Sequence, residues 1–434
     1  MRVLVVGSGG REHALCRAIK RSPLCQDVFC APGNAGIAED AVLVPISAEA
    51  IEDLVIWSCQ HSIDFVVVGP ETPLALGLVD RLQRAGIRAF GPTKRAAALE
   101  GSKGFMKDLL QNAGIPTGWH RRFTNSAAAR LFVKQQGVPL VIKADGLAAG
   151  KGVFVCHTLD EAARAITDLM DYGRFGHAGN EVIIEEFLEG EEVSFFALCD
   201  GQIALPLASV QDHKAAGDGD TGPNTGGMGA YSPAPVFTDD LCQRIMDDVV
   251  RPTLDHMQAL GRPYHGVLFC GLMLTKDGPK VLEYNVRFGD PECQVLLERL
   301  DSDLLALLLA TANGRLSDVD ISWNDQTALV VVMAARGYPG PYQKGSIIQG
   351  LERVASYQNI SVYHAGTSCS DGHFVASAGR VLGITACGAN ATDAQRTAYA
   401  AIDCLDWPEG FCRRDIGWRA VARENTSAHT ETCA

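Results

Sequence analysis

The sequence predicts a multidomain protein of mixed α/β and α+β class that opens on a doubly wound parallel sheet. Three observations predict it. The chain has 434 residues, too many for one ordinary core and enough for about three domains. Short β-rich runs alternate with helix-like stretches over the first hundred residues. Beyond them the pattern changes to hairpins mixed with helices.

In the first unit, 1–100, the strands are Val3–Val6, Val28–Cys30 and Phe65–Val68, with helices near Glu12–Arg21 and Ala48–Gln60. Ligands of such sheets bind at the carboxyl ends of the strands, where Gly7–Arg11, Ala31–Gly36 and Gly69–Pro73 fall, so three loops are expected to line one crevice. In the second unit, 101–325, Leu140–Lys143 and Val153–Cys156 flank a loop rich in Gly and Ala, and Glu181–Ile184 leads into an acidic corner. Asp212–Tyr231 reads as a long irregular segment dense in Gly, Asp and Asn, the kind of loop that carries function. The third unit, 326–423, has strands at Ala328–Met333 and near Val362 and Val381, and a helix at Ala391–Cys404. The tail, 424–434, is polar and expected to fray.

A formal net charge of −13 argues against nucleic acid as a partner, although a local cluster of basic groups can still bind a small phosphorylated ligand. The fourteen cysteines are scattered without C-x-x-C pairs and read as reduced, mostly buried thiols. Met1 leads directly into an apolar strand without signal-peptide features, and the longest greasy stretch, Leu304–Ala312, is far too short for a bilayer of about 30 Å. A cytoplasmic protein with no membrane partner is expected.

Four segments carry candidate chemistry. Gly7-Ser8-Gly9-Gly10-Arg11-Glu12 lies between a strand and a helix, where glycines can bring the backbone close to a phosphate. A plain tight turn is an equally open reading. The third glycine and the ribose-binding acid of a dinucleotide fingerprint are missing, which counts against a nicotinamide-dependent dehydrogenase. Lys143 to Gly152 resembles a phosphate loop but has three residues between Gly146 and Gly150, and Gly152 after Lys151; the strands on each side make it a flexible hairpin flap. Glu185 to Glu192 is acidic and could be no more than a solvated loop. Glu283, Asn285 and Arg287 alternate along a strand, so two oxygen ligands and a guanidinium share one face, as suits Mg²⁺ or a structural ion pair. The eleven histidines offer no catalytic triad and no zinc spacing.

The segments Val6 to Leu15, Ala31-Pro32-Gly33-Asn34-Ala35-Gly36, Leu99-Glu100-Gly101-Ser102-Lys103, Lys143 to Val153, Gln211-Asp212-His213-Lys214, Asp220 to Tyr231 and Asn285 to Glu292 resemble the glycinamide ribonucleotide synthetase family in order, from Met1 to about Arg423. The resemblance implies a central ATP-grasp domain with a flap subdomain at about 120–190, and a C-terminal α/β domain. It implies ATP-dependent ligation of glycine to phosphoribosylamine through glycyl phosphate, in purine biosynthesis; a monomer is the separate expectation. Lys103, Lys143, Gly146 and Gly150 would meet the phosphates, Glu185 and Leu188 the adenine edge, and Glu192 the ribose. Glu283 and Asn285 would hold Mg²⁺ or Mn²⁺. Arg287 would stabilise developing charge, with Lys214 also catalytic; Asp212, Lys214 and Asp290 would orient glycine. Gly9, Gly10 and Arg11, with Asn224 and Thr225, would take the ribose phosphate. Two departures from the family stand out: Phe269–Leu274 supplies no further carboxylate, and Ala378 replaces a glycine in Ser377-Ala378-Gly379-Arg380, in a domain expected to matter little to catalysis. A different ATP-grasp ligase and a non-catalytic nucleotide sensor remain as alternatives; the charged residues such a sensor could dispense with are all present.

Overall fold

The computed structural model describes residues 1–146, 152–172 and 176–431. β1 (Arg2–Gly7), β2 (Asp27–Pro32), β3 (Val42–Leu43), β4 (Phe65–Val68) and β5 (Arg88–Phe90) form one sheet in the order β3-β2-β1-β4-β5, and every pairing is parallel. Val3 to Val6 and Phe65 to Val68 are buried throughout, the continuous apolar run needed where helices cover both faces. Gly69 N donates to Val6 O at 3.0 Å, so the loops after β1 and β4 lie side by side.

Glu12 fills the space between those loops. Its carboxylate accepts from Gly9 N at 2.6 Å and from Arg11 Nε at 2.5 Å, and a side chain on Gly7 or Gly69 would run into it. The loop after β2 has another task. Asn34 donates to Ser8 O at 2.9 Å and to His364 O at 2.8 Å, which docks the third domain onto the first.

The central part contains two sheets. β6 (His120–Phe123), β7 (Leu140–Ala144), β8 (Val153–Cys156) and β9 (Val182–Glu186) pair in the order β6-β9-β7-β8 and enclose a separate core that includes Val133, Leu140, Ile142, Leu169 and Ile184. The chain then lays down β10 (Glu191–Asp200) and β11 (Ala204–Pro206), passes through the short strands β12 (Gln211–Asp212), β13 (Ala215–Gly217), β14 (Thr221–Asn224) and β15 (Gly229–Ser232), and returns as β16 (His265–Thr275) and β17 (Gly278–Asn285). The second sheet has the order β11-β10-β16-β17. Its Phe196, Val267 and Phe269 share one core with Val3, Val5, Phe65 and Val67, which ties it rigidly to the first domain.

The third sheet is built from β18 (Thr327–Ala335), β19 (Ile360–His364) and β22 (Arg380–Gly388), with β20 (Thr367–Ser370) and β21 (His373–Ala376) as a side ribbon. Two sequence expectations need correction here. Asp212–Tyr231 is not irregular: β13 and β14 form a small arm, while β12 and β15 join the third sheet in the order β12-β15-β18-β22-β19. Its strands are too short and too rich in Gly and Asp to show a period of two. The tail does not fray at Arg423 either, because a helix runs Trp418–Glu431. Arg423 pairs with Glu191 at 2.5 Å, and Glu424 accepts from Ala391 N at 2.7 Å to cap the helix Ala391–Ile402. All thirteen described cysteines are unpaired, seven of them buried. Among the described residues, no helix is long and apolar enough to cross a membrane.

Because Glu12 is pinned by two hydrogen bonds, Gly69→Ala should force a shift rather than a rotamer change. It should destabilise the fold by about 1–3 kcal/mol, measured as a lower denaturant midpoint.

Candidate active site

Two cavities meet between the sheets. The first, 440 Å³, is lined by Arg11, Glu71, Glu100, Lys103, Asp212, Lys214, Asn285, Arg287, Asp290, Glu292 and Arg380 among others. The second, 220 Å³, is lined by Val141, Val155, Met273 and Leu282 on its walls and by Glu185, Phe187, Leu188 and Glu192 at its base. That base is the crossing from β9 to β10, so the segment joining the two sheets also floors the pocket. Val153, Lys214, Thr225 and Glu283 line both cavities.

Register explains how adjacent residues of β17 reach the second cavity together. Gly271 pairs with Glu283 but Leu272 pairs with Val281, so Leu282 is an extra residue and forms a bulge. The bulge turns the Leu282 side chain toward the cavity beside Glu283 and leaves its carbonyl to accept from Lys143 Nζ at 3.4 Å. Glu283 and Asn285 stay on one face, and Arg287, just past the strand, reaches back to Asn285 Oδ1 at 3.2 Å.

The charge is dense and nearly balanced. Lys143 pairs with Glu185, and Lys107 pairs with the same carboxylate at 2.5 Å. Lys214 pairs with Glu192 and lies 3.8 Å from Glu283. Arg287 is held by Glu71 at 3.1 Å and Glu100 at 3.0 Å. Burial alone would raise the Glu283 carboxyl, but Lys214, Lys143, Lys103 and Arg287 hold it down at about 2, so it is ionised. Burial raises Asp212 to about 8, with Glu292 and Glu192 adding to the effect and Lys214 opposing it. Burial lowers the Lys103 ammonium despite Glu283 nearby, whereas Lys143 and Lys214 are raised because their carboxylate partners outweigh burial.

Asp145 braces the flap sheet. Its carboxylate accepts from Gly104 N at 2.6 Å and from Ser102 Oγ, filling the N-terminus of the helix Lys103–Asn112. This fixes Lys103 at the mouth of the first cavity, next to Gly146 O. Gly150 and Lys151 fall outside the described residues.

The structure thus gathers Arg11, Lys103, Asp212, Lys214, Thr225, Glu283, Asn285, Arg287 and Asp290 at the first cavity, and Lys143, Glu185, Leu188, Glu192 and Asn224 at the second. Three expectations change. The Gly9 donor is spent on Glu12, and a side chain on Gly9 would come 2.8 Å from an Asp290 oxygen, so carboxylates occupy the helix N-terminus where a phosphate was expected. Asn224 lies with the second cavity, apart from Arg11. Two loops of the first domain line the cavity, not three, because Asn34 is committed to docking.

Sequence reasoning missed Glu71, Glu100, Lys107, Glu292 and Arg380. Glu100 and Glu292 lay inside motif segments without a role, and Lys107 had no pattern at all. Arg380 corrects the view that the third domain matters little: it donates to Gly226 O at 2.6 Å and to Asp290 O at 2.5 Å at the cavity wall.

The arrangement can bind a polyanion beside an apolar slot and stabilise negative charge on a neighbouring small substrate. Comparison with known proteins agrees. The phosphoribosylglycinamide synthetase N domain matches residues 1–100, the ATP-grasp (A) domain of that synthetase matches 101–293, and its C domain matches 328–419. A phosphoribosylamine–glycine ligase of Brucella melitensis is 56% identical over 427 residues, covering 98% of this chain and all of the relative. The crystal structure of a phosphoribosylamine–glycine ligase from Thermotoga maritima aligns with a TM-score of 0.84 at 33% identity, over 96% of this chain and 100% of that one. The biotin carboxylase domain of a Hydrogenobacter thermophilus 2-oxoglutarate carboxylase, solved with magnesium ADP, shares the fold at a TM-score of 0.73 and 18% identity, over 94% and 91% of the two chains.

The Asp212 shift sets a pH dependence. With its carboxyl raised from 3.8 to about 8, the folded protein binds a proton that the unfolded chain has released, so stability falls as pH rises through that window. Asp212→Asn removes this contribution, and its ligand-free thermal midpoint should fall less than that of the unaltered protein between about pH 5 and about pH 8.

Proposed function

The chain belongs to the phosphoribosylglycinamide synthetase family, the phosphoribosylamine–glycine ligases, and we propose that its two joined cavities divide the ligase reaction between them. The enzyme is an ATP-grasp ligase that joins glycine to phosphoribosylamine at the expense of ATP. Lys214 and Glu283 carry the proposed division, since they line both cavities and sit 3.8 Å apart at the junction.

The second cavity takes the adenine. Its walls are apolar, and Glu185 has both carboxylate oxygens engaged by lysines, which leaves backbone groups from Glu185 to Leu188 for the base edge. Glu192 takes the ribose hydroxyls, and Lys103, Lys143 and Gly146 take the phosphates, with Gly150, outside the described residues, assigned to them as well. Glu283 and Asn285 fit Mg²⁺ or Mn²⁺: both present oxygens from one face, and Glu283 is ionised. With no further carboxylate on Phe269–Leu274 of the neighbouring strand, an ion held by Glu283 and Asn285 would leave sites open to phosphate oxygens and water and would supply charge neutralisation on the transferred phosphoryl. Thirteen unpaired thiols support a reducing compartment, the cytoplasm.

In the first cavity, a glycine carboxylate oxygen attacks the γ-phosphorus and ADP departs. The amine of phosphoribosylamine then attacks the glycyl carbonyl, phosphate leaves with the attacking oxygen, and the nitrogen gives up a proton. Asp212, Lys214 and Asp290 orient the ammonium and carboxylate of glycine. Arg11 and Thr225, both lining this cavity, receive the ribose phosphate. Arg287 points its fork where charge develops on phosphoryl and acyl oxygens, and its two carboxylate partners fix the fork before substrate arrives.

Two outcomes test this. With glycine labelled by ¹⁸O in its carboxylate, the released phosphate should carry one labelled oxygen; unlabelled phosphate rules out glycyl phosphate. Arg287→Lys keeps the charge that Glu71 and Glu100 require but loses the fork. It should lower kcat roughly 100-fold or more while the ATP dissociation constant stays within about threefold. Equal losses in both would place Arg287 in nucleotide binding.

A further inference from the structure

Lys107 is a buried cation that the roles above leave unused. Its side chain is 2% exposed and lines neither cavity. Nζ sits 2.5 Å from Glu185 Oε2 and donates to Thr117 Oγ1 at 2.9 Å, and Thr117 donates to Val281 O of β17 at 2.7 Å. Lys107 is thereby anchored on the side of Glu185 away from the cleft. The other oxygen of that carboxylate pairs with Lys143, which lines the second cavity and makes a long 3.4 Å hydrogen bond to Leu282 O.

One buried carboxylate therefore carries two ammonium groups, one facing the nucleotide cleft and one held behind it. A buried charge stripped of its only partner is strongly unfavourable. Were Lys143 the sole partner of Glu185, a phosphate that drew Lys143 away would leave a bare carboxylate behind, and binding would be opposed by that amount.

We propose that Lys107 is the standing counter-ion of Glu185, a positioning residue that frees Lys143 to pass from that carboxylate to the phosphates of the nucleotide. The inference rests on the nucleotide reading of the cleft. The groups facing Glu185 are Lys107 from the helix Lys103–Asn112, His120 from its register position on β6, Lys143 on β7 and, across the cleft, Glu283 on β17. His120 is a weaker counter-ion than Lys107, because burial, the largest effect on it, disfavours its charged form. The event is an exchange of ion pairs in which no covalent bond changes. With Lys107 present no proton moves; without it, Glu185 takes a proton from solvent as Lys143 departs.

The test is calorimetric titration of the full-length enzyme with ATP and Mg²⁺, without glycine, in two buffers of different ionisation enthalpy at pH 7. Lys107→Met should weaken ATP binding roughly 10- to 100-fold, with uptake of about one proton that the unaltered enzyme does not show. KM for ATP should rise while kcat at saturating ATP changes less than about threefold. Lys107→Arg should restore both affinity and proton balance. In a Glu185→Gln background there is no carboxylate to balance, so adding Lys107→Met should change ATP affinity less than about threefold, a comparison that holds even if Lys107→Met alone fails to fold. Unchanged affinity without proton uptake in Lys107→Met, or a further large loss in the Glu185→Gln background, would overturn the proposal. Lys143→Met separates the two levels: loss of affinity there supports the nucleotide reading independently, and unchanged affinity overturns that reading with the proposal.

Discussion

A site for a polyanion must hold positive charge before its ligand arrives, and that requirement organises this protein. Lys103, Lys107, Lys143, Lys214 and Arg287 lie within one enclosed region, where they would repel one another and cost heavily in desolvation if left alone. Glu185, Glu192, Glu283, Glu71 and Glu100 pair with Lys107, Lys143, Lys214 and Arg287, while Lys103 is lowered by burial against the nearby charge of Glu283. For Lys143 and Lys214 the paired carboxylate acts as a placeholder for a phosphate, whereas Glu71 and Glu100 hold the Arg287 fork in place and Lys107 stays with Glu185.

The fold places these charges by crossing between sheets. β9 supplies Glu185, the connection supplies Leu188, and β10 supplies Glu192, so one short stretch of chain spans both walls of the cleft. The flap sheet has its own core, whereas the second sheet shares its core with the first domain. The cleft therefore has one wall rigidly joined to the substrate side and one wall packed independently. The third sheet borrows β12 and β15 from the central segment, which carries Asp212 to the first cavity and lets Arg380 brace Gly226 and Asp290.

Much of this was legible in the sequence because local pattern and local structure coincide there. Continuous apolar runs such as Phe65–Val68 announce a covered parallel sheet, and the alternation of Glu283 and Asn285 announces a shared face. What was not legible depends on distant partners. Nothing near Gly7 or Gly69 shows that Glu12 will fill the space between them, and the glycines looked like a phosphate cradle. Lys107 sits on an ordinary amphipathic helix and acquires meaning only through Glu185, seventy-eight residues away in sequence. Gly229–Ser232 becomes a strand because β18 lies beside it, and Gln211–Asp212 because β15 does, a tertiary override of weak local preference.

The central claim is that two cavities sharing Lys214 and Glu283 form one reaction site for nucleotide, glycine and phosphorylated amine. The most direct measurement is ADP formation by the purified enzyme with ATP, Mg²⁺, glycine and phosphoribosylamine generated in the cuvette from ribose 5-phosphate and ammonia, omitting each component in turn. The account requires that sustained ADP release depend on glycine and on the amine together. ADP release indifferent to either one, or none with all present, would contradict it.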